Sequence, residues 1–222
     1  MKIDLHVHTT GSIDGVHSPK TMIRAAKERK LDGIAVTDHD STRGWKEALR
    51  AAKEFDFLVI PGMEISMTKS DHKVAHMLAL FLNEQIKART MPEVADEIHA
   101  QGGLAVIAHP LDRWRSVYVD LEKYVDYLDG IEVMNAHTPF FKDNDKARQF
   151  AVKHKKPMTG GSDAHSKYEI GKCYTYANAD SLEEFRKALV KGKTRAEGRK
   201  ANLFYHAFSV LSKRGLYPFR EK

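Results

Sequence analysis

Histidine and carboxylate side chains recur along this chain where apolar, strand-like runs stop. His6 and His8 close the run 3–7, Asp14 follows in a loop, His39 comes just after 34–37, and Glu64 just after 57–60. His76 lies in the run 74–81, His109 follows 104–108, and Asp163 and His165 follow 157–159. Imidazole and carboxylate are the usual protein ligands of divalent transition metals. A barrel of strands would deliver such strand-end side chains to one rim. Six histidines and three carboxylates exceed what one ion takes, and sites holding several ions mostly serve hydrolysis.

Each motif has a local logic. His6 and His8 are two apart, so on a strand both point to one side while Leu5 and Val7 point to the other. Asp14 stands between Gly11 and Gly15 in a polar loop, where an isolated Asp would ordinarily be a turn residue. The run 34–36 ends in Thr37-Asp38-His39-Asp40, ionisable groups whose placement beside a core calls for a charged partner such as a dication. His39 reads as the ligand; Asp38, Asp40 and Asp4 read as groups that orient it or its neighbours, with a helix N-cap as the competing role for Asp40. Glu64 is suited to bridge two ions, which an imidazole cannot do. His76, taken alone, reads as a satisfied core histidine. His109 precedes Pro110, which stops its strand. In Gly160-Gly161-Ser162-Asp163-Ala164-His165 the glycines permit a tight turn, and Asp163 and His165 share a side if the backbone stays extended. Among the other histidines, His17 and His137 are the nearest to joining the set.

These side chains need a scaffold. Apolar runs alternate with amphipathic ones: strands are expected at 3–7, 34–37, 57–60, 74–81, 104–108, 130–134 and 157–159, and helices at about 18–30, 45–55, 91–101, 121–128, 143–154 and 181–190. Ser18-Pro19 and Ser181 carry helix-start signals. Continuous apolar strands alternating with helices argue for a parallel sheet covered by helices, closed or nearly closed into a barrel. Between Glu64 and His76 there is no room for a crossover helix, so the third and fourth strands are expected to pair differently. The barrel is assigned to 1–192. Residues 193–222 read as a basic extension packing on it, turn-rich over 192–200 and helical over 203–211.

Composition narrows the class. The chain has 222 residues, 42% of them apolar, which suffices for one substantial core. A net charge of +6 is too small to identify a nucleic-acid binder but suits a phosphate-bearing substrate. Cys173 is the only cysteine, so no internal disulfide forms and a reducing compartment is the default. The N-terminal residues lack the apolar stretch of a signal peptide, and no run approaches the roughly 20 apolar residues of a membrane span. A cytoplasmic protein without a membrane partner is expected. Oligomeric state is not legible.

In order, His6-x-His8, Ser12-x-Asp14-Gly15, Thr37-Asp38-His39, Gly62-x-Glu64, the His76 strand, His109-Pro110 and Ser162-Asp163-Ala164-His165 make the chain resemble the PHP family, named for polymerase and histidinol phosphatase domains. The resemblance covers residues 1–190. It implies an α/β fold, a distorted (β/α)7 TIM-like barrel with a short helical extension, and two or three divalent ions, Zn, Mn or Fe. It implies a first ion on His6, His8, Glu64 and Asp163, a second on Glu64, His76 and His109, and a third on Asp14, His39 and His165. Asp14 stands where some family members carry histidine. His109–Arg115 is similar to a phosphate-gripping segment, which makes Arg113 and then Arg115 the substrate-binding candidates. The implied activity is phosphoester hydrolysis with Glu64, Asp163 and His165 at the catalytic centre and the nucleophile supplied by the metal site. A nucleotide or short oligonucleotide is the expected substrate, with histidinol phosphate as the alternative. A non-catalytic RNA-binding subunit and a C–N-cleaving, amidohydrolase-like enzyme compete from other classes; the latter typically needs a bridging lysine at a strand end.

Overall fold

The structure, a computed structural model, describes residues 1–69, 72–112, 120–202, 211 and 220–221. Its elements run β1 (Lys2–Val7), α1 (Pro19–Glu28), β2 (Gly33–Val36), α2 (Trp45–Phe55), β3 (Leu58–Lys69), β4 (His72–Leu80), α3 (Met91–Ala100), β5 (Leu104–Ala108), two 3-10 turns, β6 (Gly130–Asn135), α4 (Phe141–Lys153), β7 (Met158–Gly161), β8 (Cys173–Ala177), α5 (Leu182–Val190) and β9 (Thr194–Gly198). Among the described residues the strands form one sheet in the order β7-β6-β5-β4-β3-β2-β1-β8-β9.

Two parallel blocks, β1-β2-β3 and β5-β6-β7, are joined by β4, which is antiparallel to both β3 and β5. This is the irregular pairing expected where no crossover helix fits. The sheet curls until its ends meet: the Thr175 hydroxyl accepts from Gly160 N at 2.9 Å, and Thr194 Oγ1 donates to Met158 O at 2.8 Å. A Cβ on Gly160 would come within 3.0 Å of Tyr174 O and 3.1 Å of the Ala196 Cβ, so a side chain there would hold the ends apart. The result is an α/β fold with a nearly closed, barrel-like sheet.

The core follows from this curl. One buried cluster takes Ile3, Leu5, Ala35, Ile60, Leu78 and Val106 from five successive strands and adds Phe185 and Leu189 of α5. Ala35, Leu78 and Val106 alternate with the neighbours that face α1 and α3, which places this cluster on the concave face, with α5 packed against it. On the convex face, Met22, Ile23 and Ala26 of α1 cover Ile34 and Val36, while Val94 and Ile98 of α3 cover Met77 and Ile107. Each large aliphatic side chain so buried contributes about 1.5–3 kcal/mol.

Three expectations are corrected. Residues 121–128 form 3-10 turns, Leu121–Lys123 and Val125–Tyr127, rather than a helix; no side-chain cap starts either, and only Leu121 at their start and Leu128 just after them are buried. Thr194–Gly198, expected to be turn-rich, pairs antiparallel with β8. Asp40 does not cap α2, whose N-cap is Gly44; it has φ of 48° and its carboxylate accepts from Ser66 N at 3.1 Å. The helix expected over 203–211 lies outside the described residues apart from Leu211. No helix among the described residues is long and apolar enough to cross a membrane.

Candidate metal centre

The sheet and the loops at its strand ends bring all nine candidate ligands to one rim; Glu64, expected just after its strand, lies inside β3, and Asp14 comes from the loop after β1. His6 lies in β1 with His8 just beyond its end at Val7, His39 follows β2 and forms a lone parallel bridge with Glu64, and His76 in β4 stands opposite Ser66 of β3 and Ala108 of β5. His109 follows β5, while Asp163 and His165 follow β7.

Glu64 is the hub. Its Oε2 lies 3.3 Å from His6 Nε2, 3.2 Å from His8 Nε2 and 3.1 Å from His39 Nδ1. Its Oε1 lies 3.1 Å from His76 Nδ1 and 3.2 Å from His109 Nε2. Asp163 Oδ1 approaches His6 Nε2 at 3.5 Å and His8 Nε2 at 3.3 Å, and Asp14 Oδ2 approaches His165 Nε2 at 3.2 Å and His39 Nε2 at 3.5 Å. Among the described residues four sets present ligand atoms within 4.8 Å of one another: His6, His8, Glu64 and Asp163; His8, Asp14, His39 and His165; His39, Glu64 and His76; and His137, Asp163 and His165. His109 joins through Glu64 and through His76, whose Nδ1 is 3.4 Å away.

The donor set fits cations. His6 Nε2, His8 Nε2 and Glu64 Oε2 are buried, make no hydrogen bond, and converge on one small volume. Leaving such atoms unsatisfied is costly, and a cation between them removes the cost. The electrostatics agree. Burial pulls the His6 imidazole down, but the carboxylates of Asp163, Glu132 and Glu64 outweigh it and hold the ring well above its usual range. His8 is subject to the same burial; the close approach of the Asp163 and Glu64 carboxylates carries it to about 9. His39 goes the other way, to about 3, because burial outweighs the pull of Glu64 and His8 adds repulsion. Burial pushes the Glu64 carboxyl up, but the surrounding imidazoles, His39 and His76 foremost, hold it well below its usual value.

A supporting layer fixes these rings. His6 Nδ1 meets Glu132 Oε1 at 3.0 Å; Glu132 Oε2 accepts from His109 N at 2.8 Å and from Asn135 Nδ2 at 2.9 Å. Asn135 Nδ2 also donates to Asp163 Oδ2 at 3.2 Å. A carboxylate on the far nitrogen of a ligating imidazole fixes its tautomer and raises its basicity. Asp4 accepts from Ser162 N and Gly171 N, both at 2.8 Å, tying β1 to the loop after β7. Asp38 accepts from Thr9 N at 2.6 Å, Thr9 Oγ1 at 2.7 Å and Ser12 Oγ at 3.0 Å, and so shapes the loop that leads to Asp14. A Cβ on Gly161 would stand 2.4 Å from the His6 Cβ, so glycine is required for β7 to pass the His6 ring.

Sequence reasoning assigned the orienting roles of Asp4 and Asp38 but missed Glu132, Asn135 and Glu169. The signal for Glu132 existed: it is an ionisable residue inside the apolar strand β6, as His76 is in β4. Glu169 is buried, bonds His137 Nε2, and accepts from Ser166 Oγ at 2.8 Å. His137 lies within reach of Asp163 and His165, whereas His17 Nδ1 instead accepts from Lys167 N at 3.2 Å. Asp163 is not extended as expected: its φ is 54°, and His109 has φ of 29°. Such left-handed non-glycine residues cost on the order of 1–3 kcal/mol and cluster at functional sites. Arg113 and Arg115 lie outside the described residues.

The PHP domain family matches residues 4–153. The chain belongs to the PHP family. A PHP-associated family matches 141–194. An uncharacterized protein of Methanocaldococcus jannaschii is 36% identical over 148 residues, covering 62% of this chain and 83% of that protein. A 5'-3' exoribonuclease of Salmonella typhimurium is 39% identical over 83 residues, which is 35% of this chain and 26% of the exoribonuclease. The PHP fold is shared with the solved structure of a candidate metal-dependent phosphoesterase from Bifidobacterium adolescentis, at a TM-score of 0.67 and 21% identity over 91% of this chain and 97% of that one.

Proposed function

We propose that this PHP protein is a metal-dependent phosphoesterase that hydrolyses a phosphate ester of a nucleotide or short oligonucleotide. The observation that carries it is the division of imidazoles about Glu64, with His6, His8 and His39 at one oxygen and His76 and His109 at the other. One carboxylate serving two imidazole sets is the arrangement of a bridge between two ions. Asp163 completes the set on the His6 side, and Asp14, His39 and His165 offer a third position. The mix of imidazole and carboxylate suits Zn, Mn or Fe.

Bound divalent ions activate water and offset charge on the phosphoryl group. The protein's part is to hold that geometry rigid. Glu132 and Asn135 lock His6, His109 and Asp163, so little reorganises when charge develops. His165, beside Asp14 and Asp163, and a metal-bound water are the two candidates to protonate a leaving group; the contacts of His165 with Asp14 and Asp163 support it equally as a ligand of the third ion. Arg113 and Arg115 remain the proposed phosphate grip, since a guanidinium matches two phosphate oxygens at once.

The exoribonuclease likeness and the net charge of +6 favour a nucleotide or oligonucleotide over histidinol phosphate. A non-catalytic RNA-binding role would leave the convergence of nine ligand-type side chains without a purpose. A C–N hydrolase built on a bridging lysine is less favoured, because the hub is Glu64, whose ion-pair partners among the described residues are all histidines.

The test is turnover of p-nitrophenyl phosphate, a nucleotide panel, histidinol phosphate and 5'-labelled oligonucleotides with Mn or Zn added. Metal-dependent release of phosphate or nucleotide is expected. Turnover of C–N substrates alone would overturn the proposal.

A further inference from the structure

Arg220 and Glu221 are bonded to the loop that carries Asp14. Arg220 Nη2 donates to the carbonyls of Ser12 at 2.7 Å and Thr10 at 3.3 Å, and its Nε donates to Gly15 O at 3.1 Å. Glu221 N donates to Val16 O at 3.0 Å. The Glu221 carboxylate accepts from Ser18 N at 2.7 Å and from Thr21 Oγ1 at 3.1 Å. Two residues therefore hold both sides of Asp14 and the first turn of α1, where a carboxylate also meets the positive end of the helix dipole.

The other eight ligand-type residues lie on strands or within a few residues of a strand end, but Asp14 comes from the bends between β1 and α1. Sheet register cannot fix its direction. Three carbonyls bracketing it, those of Thr10, Ser12 and Gly15, point at one guanidinium. That group's rigid fork sets their directions together, and with them the direction in which the Asp14 side chain leaves the backbone. Asp14 is buried and aimed at His39 and His165.

We propose that Arg220 is a positioning residue for Asp14. Through Asp14 it governs the ion held with His39 and His165, while Glu221 anchors it to α1. This rests on the metal-centre reading above and adds to it a control of one ion by a residue about two hundred positions away in sequence.

The experiment titrates the metal-stripped, full-length protein with Mn(II) by calorimetry and measures hydrogen exchange across residues 10–18. For Arg220→Ala, one ion should bind at least about tenfold more weakly, the loss typical when a residue behind a ligand is removed. The remaining ions should keep their affinity, and the amides around Asp14 should exchange faster. Asp14→Asn should lose the same ion, and Arg220→Ala in that background should change ion binding no further. A merely structural role would instead lower the melting temperature without selecting one ion. Arg220→Gln serves if the alanine variant does not fold.

Equal loading of variant and wild type, equal weakening of all ions, or additive effects with Asp14→Asn would overturn the inference. A wild type that takes up no Mn(II) or Zn(II) would overturn the metal centre itself, and this inference with it.

Discussion

The inner and outer halves of the cluster are built differently. The inner half, His6, His8, Glu64 and Asp163, lies on strands or within two residues of a strand end, is buried throughout, and has Glu132 and Asn135 behind its rings and carboxylates. The outer half adds Asp14 from a loop and His39, whose side chain is 18% exposed. The Asp14 loop is held by bonds to Asp38, Arg220 and Glu221 rather than by sheet register. Strand-borne ligands come with their positions set by the hydrogen-bond ladder, while loop-borne ones need dedicated ties. The inner half should therefore bind its ions tightly and always, and the outer half should bind more weakly and respond to changes far from the pocket.

The largest effect should come from Glu64→Ala, which removes the hub of both imidazole sets. Turnover should fall by at least about a thousandfold, since offsetting charge at a metal site is worth several kcal/mol. Metal analysis of the variant should show the bridged ions gone. Retained turnover would take Glu64 out of the bridging role.

Gly161→Ala comes next. The new methyl would overlap the His6 Cβ, and overpacking of this kind costs typically 1–3 kcal/mol. The melting temperature should drop and the inner ions should weaken, while a parallel change at exposed Gly192, whose added Cβ meets nothing within 4 Å, should leave ion binding alone.

Glu132→Gln should follow, weakening inner-ion affinity about 10–100-fold with little change at the outer ion. Calorimetric titration with Mn(II) reads both. Equal weakening of inner and outer ions would erase the distinction between the halves.

The smallest effect concerns pH. In the metal-free protein His8 is raised to about 9 from an ordinary value of 6.5, so its protonated form stabilises the fold. That stabilisation is complete below about pH 6.5 and lost as pH rises through 9. The stripped protein should melt progressively lower across that window. The loaded protein, with an ion in place of the proton, should not. Melting curves at pH 6.5, 8 and 9.5 with and without chelator compare the two.

Much of this architecture was legible in the residues. The spacing of His6 and His8 gave their shared site, and the apolar runs gave β1 to β7, because period and burial are local properties; Leu5 and Val7, expected on one opposite face, fall in different clusters because the register shifts between Asp4 and Val7. β8 was missed because its alternating Cys173-Tyr174-Thr175-Tyr176-Ala177 belongs to an antiparallel return, not to the strand–helix repeat being followed. β9 was hidden by charge: Arg195 and Glu197 lie on the more exposed side of a strand whose Thr194 and Ala196 are buried. The turn at Asp163 defeated the extended reading because the constraint comes from packing of β7 against β1, not from residue type. Glu132 could have been found by the rule that flagged His76, whereas Asn135 and Arg220 act only through partners that folding brings near.

The most direct measurement is the anomalous scattering of a crystal grown with Mn(II) or Zn(II). Two or three peaks are expected inside the rim, two of them flanking Glu64, one near His6, His8 and Asp163 and the other near His76 and His109. A pocket without peaks, or peaks on surface residues alone, would contradict the metal centre.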